Sequence, residues 1–218
     1  GGGGKTSLIF RLCEEMVSTG KKVIVTTTTH MAYEPERPFA EAGNAQQIQQ
    51  NIEEYGYTVA ASLDQNKSKI GSLTEEALVR LKGQADCILI EADGAKRLPL
   101  KVPGEWEPVI PDFTDLVVGV IGMDAVGQMI RESCHRPERV AAFLNKEQTD
   151  PVTEADVIRI AVSDKALKKA VGRRPYKIFL NKTDLMGKYE SAERIGKELQ
   201  EQGVHAAWGS LQGREYYR

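Results

Sequence analysis

Apolar positions along the first twenty residues fall on two adjacent i, i+4 rows. Leu8, Leu12 and Met16 form one and Ile9, Cys13 and Val17 the other, which predicts an amphipathic helix opening at Lys5 and stopping near Gly20. Short β-branched or apolar runs at 23–25, 58–62, 87–91, 116–121, 176–180 and 204–208 read as strands, most of them apolar throughout as buried parallel strands are. Between them lie helical stretches at 45–55, at 74–81 with Thr74 as cap, from Pro137 onward, at 153–170 with Thr153 as cap, and at 191–202. Such alternation predicts one α/β domain over residues 1–218, with a mostly parallel sheet, helices on both faces and a small insertion near 125–172. In that architecture the residues just after each strand share one edge of the sheet, where α/β proteins bind ligands.

Three such strand ends and one helix start carry candidate chemistry. Gly1-Gly2-Gly3-Gly4-Lys5-Thr6-Ser7 reads as the second half of a phosphate loop. Glycines let successive backbone N–H groups turn inward around an anion, a lysine adds a point charge, and a following hydroxyl can ligate Mg²⁺. The first glycine of the full pattern and the strand before it are expected upstream of residue 1. A Gly-rich tag is the alternative, but a tag has no reason to open an amphipathic helix.

The run 23–25 ends in Thr26-Thr27-Thr28-Thr29-His30, where Thr27 and Thr28 can offer hydroxyls to phosphate or to a magnesium shell; threonine also simply favours strands. The strand from Cys87 delivers Glu91-Ala92-Asp93-Gly94-Ala95-Lys96. Glu91 and Asp93, two apart, lie on one side of an extended chain, so one carboxylate can hold Mg²⁺ and the other orient a water. We assign Asp93 with Thr6 to the metal and Glu91 to the water, with the two roles exchangeable. Gly94 permits close approach to a phosphate. An Asp-Gly hairpin turn is the competing reading, which Pro99 and Pro103 disfavour because they suit a paired return strand poorly.

The strand at 176–180 runs into Asn181-Lys182-Thr183-Asp184. In an Asn-Lys-x-Asp pattern the aspartate accepts from guanine N1–H and the 2-amino group, the asparagine serves O6 and N7, and the lysine stem packs over the ring. The alternative is a loop in which Thr183 or Asp184 caps the next helix. Its place, late and after the other two motifs, favours GTP over ATP.

Composition narrows the classes. A net charge of −2 over 218 residues leaves no electrostatic footprint for nucleic acid, and no apolar run is long enough to span a bilayer. Cys13, Cys87 and Cys134 are odd in number and lack C-x-x-C spacing, which reads as reduced thiols in a cytoplasmic protein. Cys134 beside His135 is too little for a metal site.

From residue 1 to 139 the chain resembles the YqeC family, accessory proteins associated with selenium-dependent molybdenum hydroxylases. The residues that carry the resemblance are Gly3-Gly4-Lys5-Thr6, Thr26-Thr27-Thr28, Glu91 through Lys96, Leu98-Pro99-Leu100-Lys101, Glu107-Pro108-Val109-Ile110-Pro111 and His135-Arg136. The resemblance implies a P-loop NTPase-like fold and a role in maturing the selenium or molybdenum cofactor of a hydroxylase, and leaves the reaction open. The leading expectation is Mg²⁺-dependent binding and hydrolysis of a nucleoside triphosphate. Lys5 and the N–H groups of Gly2 to Ser7 hold phosphates, and Asn181, Lys182 and Asp184 hold the base. An ATP-dependent kinase or transferase gripping an anionic substrate with Lys96, Lys101 and Arg136 is one rival. A non-enzymatic chaperone for a cofactor or apo-hydroxylase is the other.

Overall fold

A computed structural model describes residues 2–64 and 69–212, together with the backbone of 215–217. Gly1 and the strand expected before it lie outside the described residues. The chain divides into two compact units, Thr6–Gly94 and Ala95–Arg218, the second including Gly1–Lys5. The chain passes between them at Lys5–Thr6 and at Gly94–Ala95, inside two of the motifs. The elements are a mixture of helices and of parallel and antiparallel strands.

In the first unit, α1 (Lys5–Ser18) leads to β1 (Val23–Thr27), β2 (Met31–Ala32), β3 (Phe39–Glu41), α2 (Ala45–Tyr55), β4 (Tyr57–Leu63), β5 (Lys69–Gly71), α3 (Glu75–Leu81) and β6 (Cys87–Glu91). The sheet runs β2-β5-β4-β1-β6, with β3 also on β4. β1 lies parallel between β4 and β6, pairing Val23 with Tyr57 and Thr27 with Glu91. Among the described residues of this unit only β5 runs against its neighbours, β2 and β4. Side chains alternate across β1, as strand geometry requires. Val23 and Val25 join Phe10 and Cys13 of α1 in one core, while α2 sends Asn51 to the Thr58 hydroxyl of β4. The cap expected from sequence at Thr74 is formed, accepting from the Ala77 N–H, and in addition Gly56 closes α2 in the left-handed conformation.

In the second unit, β7 (Leu100–Lys101) precedes β8 (Val117–Gly122), the short helices Met123–Ala125 and α4 (Ile130–Ser133), and β9 (Cys134–His135). Then come α5 (Pro137–Leu144), α6 (Glu154–Val162), β10 (Tyr176–Asn181), α7 (Lys188–Glu201), β11 (His205–Ser210) and β12 (Glu215–Tyr217). The main sheet runs β12-β11-β10-β8, parallel except for β12, and brings Gly122, Asn181 and Gly209 into one row at the carboxyl ends. β7 and β9 make a separate parallel pair. Residues near 125–172 contribute Ile130, Val140, Leu144, Val157 and Ile160 to the same core as Ile121, Ile178 and Leu180.

One competing reading of the sequence falls away, and one expected helix is shorter than read. The Asp93-Gly94 pair turns no hairpin, because β6 pairs with β1 among the described residues. The helix expected over 153–170 ends at Val162: Ser163 is extended, its hydroxyl accepts from the Lys165 N–H, and the chain continues as turns. Serine competes for backbone groups in this way and stops helices. Among the described residues no helix is long and apolar enough to cross a membrane.

Ile178 sits on β10, an inner strand of its sheet, at 1% exposure. Truncating it to alanine removes buried methylene groups and leaves a cavity, so Ile178→Ala is expected to cost about 2–5 kcal/mol, read from urea unfolding midpoints at unchanged m-value.

Candidate functional site

The first unit gathers hydroxyls and a carboxylate at the carboxyl ends of β1 and β6. Thr6, in the opening turn of α1, donates its hydroxyl proton to Glu91 Oε2 at 2.6 Å across 85 positions of sequence. Thr27 donates to the Glu91 carbonyl at 2.9 Å and accepts from the Thr29 N–H at 3.0 Å, while the Thr28 N–H reaches the same carbonyl at 3.1 Å. The threonine run therefore fastens the end of β1 to the end of β6 and fixes where Glu91 points. Glu91 and Asp93 are both buried, with the less buried Ala92 between them, the alternation expected of an extended segment. Ser7 is exposed on the first turn of α1, and a Cβ on Gly94 would meet open space.

A carboxylate oxygen only accepts hydrogen bonds, so the shared proton sits on Thr6 and the hydroxyl keeps its lone pairs for another partner. That donor set suits a hard divalent cation. Among the described residues no three His, Cys, Asp or Glu side chains stand close enough to hold a metal by themselves. Mg²⁺ does not need such a cage; it takes one or two protein oxygens and completes its shell with water and phosphate oxygens. Of the two exchangeable assignments, the contact sets Glu91 against Thr6.

In the second unit the glycine loop packs tightly against its own surroundings. A Cβ on Gly2 would lie 1.8 Å from the Arg97 carbonyl oxygen, and one on Gly3 would lie 3.1 Å from that of Pro99. Gly4 has φ +97° and would place a Cβ 2.1 Å from Asn181 Nδ2. Asn181, buried at 4% exposure, donates from that nitrogen to the Gly3 carbonyl at 3.0 Å and accepts from the Leu211 N–H at 3.2 Å. Its amide ties the loop to the exit of β11. Both the backbone conformation and the contact forbid a side chain at Gly4, so Gly4→Ala is expected to lower stability by about 1–3 kcal/mol. A thermal melt beside wild type checks it.

Lys182 has φ +68° and pairs with Asp124, and Asp184 is exposed in the turn that follows β10. Lys96 is exposed at φ +44°. Arg136 grips Glu107, Nη1 to Oε2 at 2.7 Å and Nη2 to Oε1 at 3.3 Å, and Lys101 Nζ reaches Oε2 at 2.7 Å. Glu107 entered the sequence reading only within the Pro-rich run that carries the resemblance, and its pairing with Arg136, 29 residues later, has no local mark.

Burial works to raise the Glu107 carboxyl, but hydrogen bonds from Arg136 and Lys101 outweigh it and hold the group down at about 2 from an ordinary 4.5. A depressed folded value means stability present above about 4.5 and lost as pH falls toward about 2. Wild type is therefore expected to lose more stability than Glu107→Gln between about pH 5 and about pH 3, measured by chemical unfolding. Burial pushes the Cys13 and Cys134 thiols up to about 11, which keeps both protonated and unreactive.

Comparison with known proteins agrees on one family. The family model described as "YqeC protein" matches residues 1–138. Over 219 aligned residues the chain is 29% identical to "Uncharacterized protein YqeC" of Escherichia coli (strain K12), covering 97% of this chain and 86% of that protein. No solved structure matches.

Proposed function

The chain belongs to the YqeC family, and we propose that it is a nucleotide-binding accessory protein that hydrolyses a nucleoside triphosphate with Mg²⁺, acting in the maturation of a molybdenum hydroxylase. One observation carries the nucleotide reading: the Thr6 hydroxyl at the start of α1 is hydrogen-bonded to Glu91 at the end of β6. A helix-opening hydroxyl joined to a strand-end carboxylate is the pairing that Mg²⁺-dependent phosphoryl chemistry uses. The accessory setting is what the resemblance to the family implies.

In this reading Lys5 and the N–H groups of Gly2 to Thr6 bind the β- and γ-phosphates, helped by the positive end of the α1 dipole. Thr6 offers its lone pairs to Mg²⁺ while Glu91 holds the hydroxyl proton and orients it; bound there, the ion would neutralise charge on the phosphate oxygens. Asp93 orients the attacking water. Thr27 and Thr28 keep the end of β6 in place. Base choice falls to Asp184, which is exposed, since the Asn181 amide is engaged with Gly3 and Leu211.

Thermal shifts with GTP, ATP, GDP and molybdopterin nucleotides, each with and without Mg²⁺, test the reading, because a ligand that binds the folded state raises the melting temperature. GTP with Mg²⁺ is expected to give the largest shift. No shift with any nucleotide would overturn the reading, and equal affinity for GTP and ATP would overturn guanine selectivity.

A further inference from the structure

The unit Thr6–Gly94 holds a cavity of about 250 Å³ where α1 passes the end of α2 and the start of β4. Its walls are Phe10, Cys13 and Val17 of α1 with Tyr55 and Tyr57. One end is closed by the Arg37 guanidinium, which lies 3.4 Å from the Phe10 ring centre and is paired with Glu34. Pockets for drug-sized ligands measure about 300–1,000 Å³, so this one suits a single flat ring system. The mouth is acidic: Glu14 stands exposed there, and the Tyr55 hydroxyl meets the Glu54 carboxylate.

The unit Ala95–Arg218 shows the complementary feature. Trp106 is 83% exposed, an unusual place for so large an apolar side chain. The loop that carries it is held on both sides. Arg136 and Lys101 grip Glu107, Lys169 donates to the carbonyls of Gly104 and Glu105, and Arg174 reaches the Pro111 carbonyl. Pro103, Pro108 and Pro111 restrict the same backbone. An aromatic side chain on a loop already ordered loses little entropy on docking, and tryptophans so placed are what binding hot spots use. Lys169 puts an ammonium at the foot of this loop, and exposed Lys165 and Arg173 lie in the same run of turns, where the three outnumber the exposed Glu105.

We propose that the cavity is the seat for Trp106 of a second copy of this chain, so that the protein associates with itself through an indole in an aromatic pocket. The volume suits one indole. Phe10, Tyr55 and Tyr57 offer the offset and edge contacts that aromatic rings prefer, and the cationic foot of the loop meets the acidic mouth. Seat and indole are different surfaces of the chain, so the contact is heterologous and every copy carries one of each. It does not rest on the nucleotide reading, because no residue assigned there lines the cavity or holds the loop.

The test is sedimentation velocity on the whole chain, without nucleotide or Mg²⁺, from about 1 µM to about 1 mM, the range in which a small contact shows itself. Wild type is expected to pass from monomer to associated species across that range. Trp106→Ala is expected to stay monomeric, with a melting temperature beside wild type reporting that the fold is kept. Glu14→Lys, which reverses the charge at the mouth, is expected to weaken association about tenfold. Excess free indole is expected to return wild type to monomer, an arm that needs no variant. Association that persists in Trp106→Ala, or that indole leaves untouched, would overturn the proposal. So would a monomer at every concentration; if indole still raised the melting temperature of that monomer, the occupant would be a free aromatic molecule instead.

Discussion

Lys5→Ala is expected to abolish measurable nucleotide binding. The lysine stands at the first position of α1, directly after Gly4. There its charge adds to the helix dipole and to the loop N–H groups, and hydrogen bonds between charged partners are about twice as strong as neutral ones. A desolvated phosphate that loses its lysine gives up about 3–5 kcal/mol, or a factor of about a hundred to several thousand in Kd. Titration with a fluorescent nucleotide measures the loss. Affinity unchanged in Lys5→Ala would remove the phosphate loop from the account.

Glu91→Gln is expected to separate binding from chemistry. The glutamine keeps the shape and can still accept from Thr6, yet it removes the negative charge at the end of β6. Nucleotide affinity in EDTA should stay within a few-fold of wild type, the tightening by Mg²⁺ should largely disappear, and turnover should fall by about a hundredfold or more. Thr6→Val, which deletes the hydroxyl at nearly constant volume, should reproduce the loss of Mg²⁺ dependence. Steady-state phosphate release and paired titrations with and without Mg²⁺ read both effects. A Glu91→Gln protein that hydrolyses at the wild-type rate would exclude the carboxylate from the site.

How much of this was written locally in the chain differs from element to element. The i, i+4 rows of Leu8, Ile9, Leu12, Cys13, Met16 and Val17 marked α1, and the β-branched run at 23–25 marked β1, because burial periodicity leaves a direct trace in sequence. Thr74 and Thr153 marked their helix starts, because a side-chain cap acts within three residues. Long-range pairing leaves no such trace. Glu107 and Arg136 meet across 29 residues, and Lys182 and Asp124 across 58.

The same distinction runs through the candidate site. Thr6 and Glu91 were recognisable singly as a helix-opening hydroxyl and a strand-end acid, but their contact arises only when α1 and β6 are placed in one unit. Asn181 stood out as part of a base-reading pattern, and its spacing could not tell that the amide would be held by Gly3 and Leu211. The end of α6 at Ser163 was missed for a related reason. Helix propensity over 163–170 is fair, and a single serine hydroxyl accepting from Lys165 redirects the backbone.

The central claim is that Thr6 and Glu91 stand beside the metal of a bound nucleotide. Mn²⁺ replacing Mg²⁺ broadens NMR signals steeply with proximity, so backbone amide spectra recorded with Mn²⁺ and GTP test it on the unaltered protein. The account predicts that the Thr6 and Glu91 amides are among the first signals lost, and that both return when the nucleotide is omitted at the same Mn²⁺ concentration. Sharp Thr6 and Glu91 signals, with broadening centred on other residues, would contradict it.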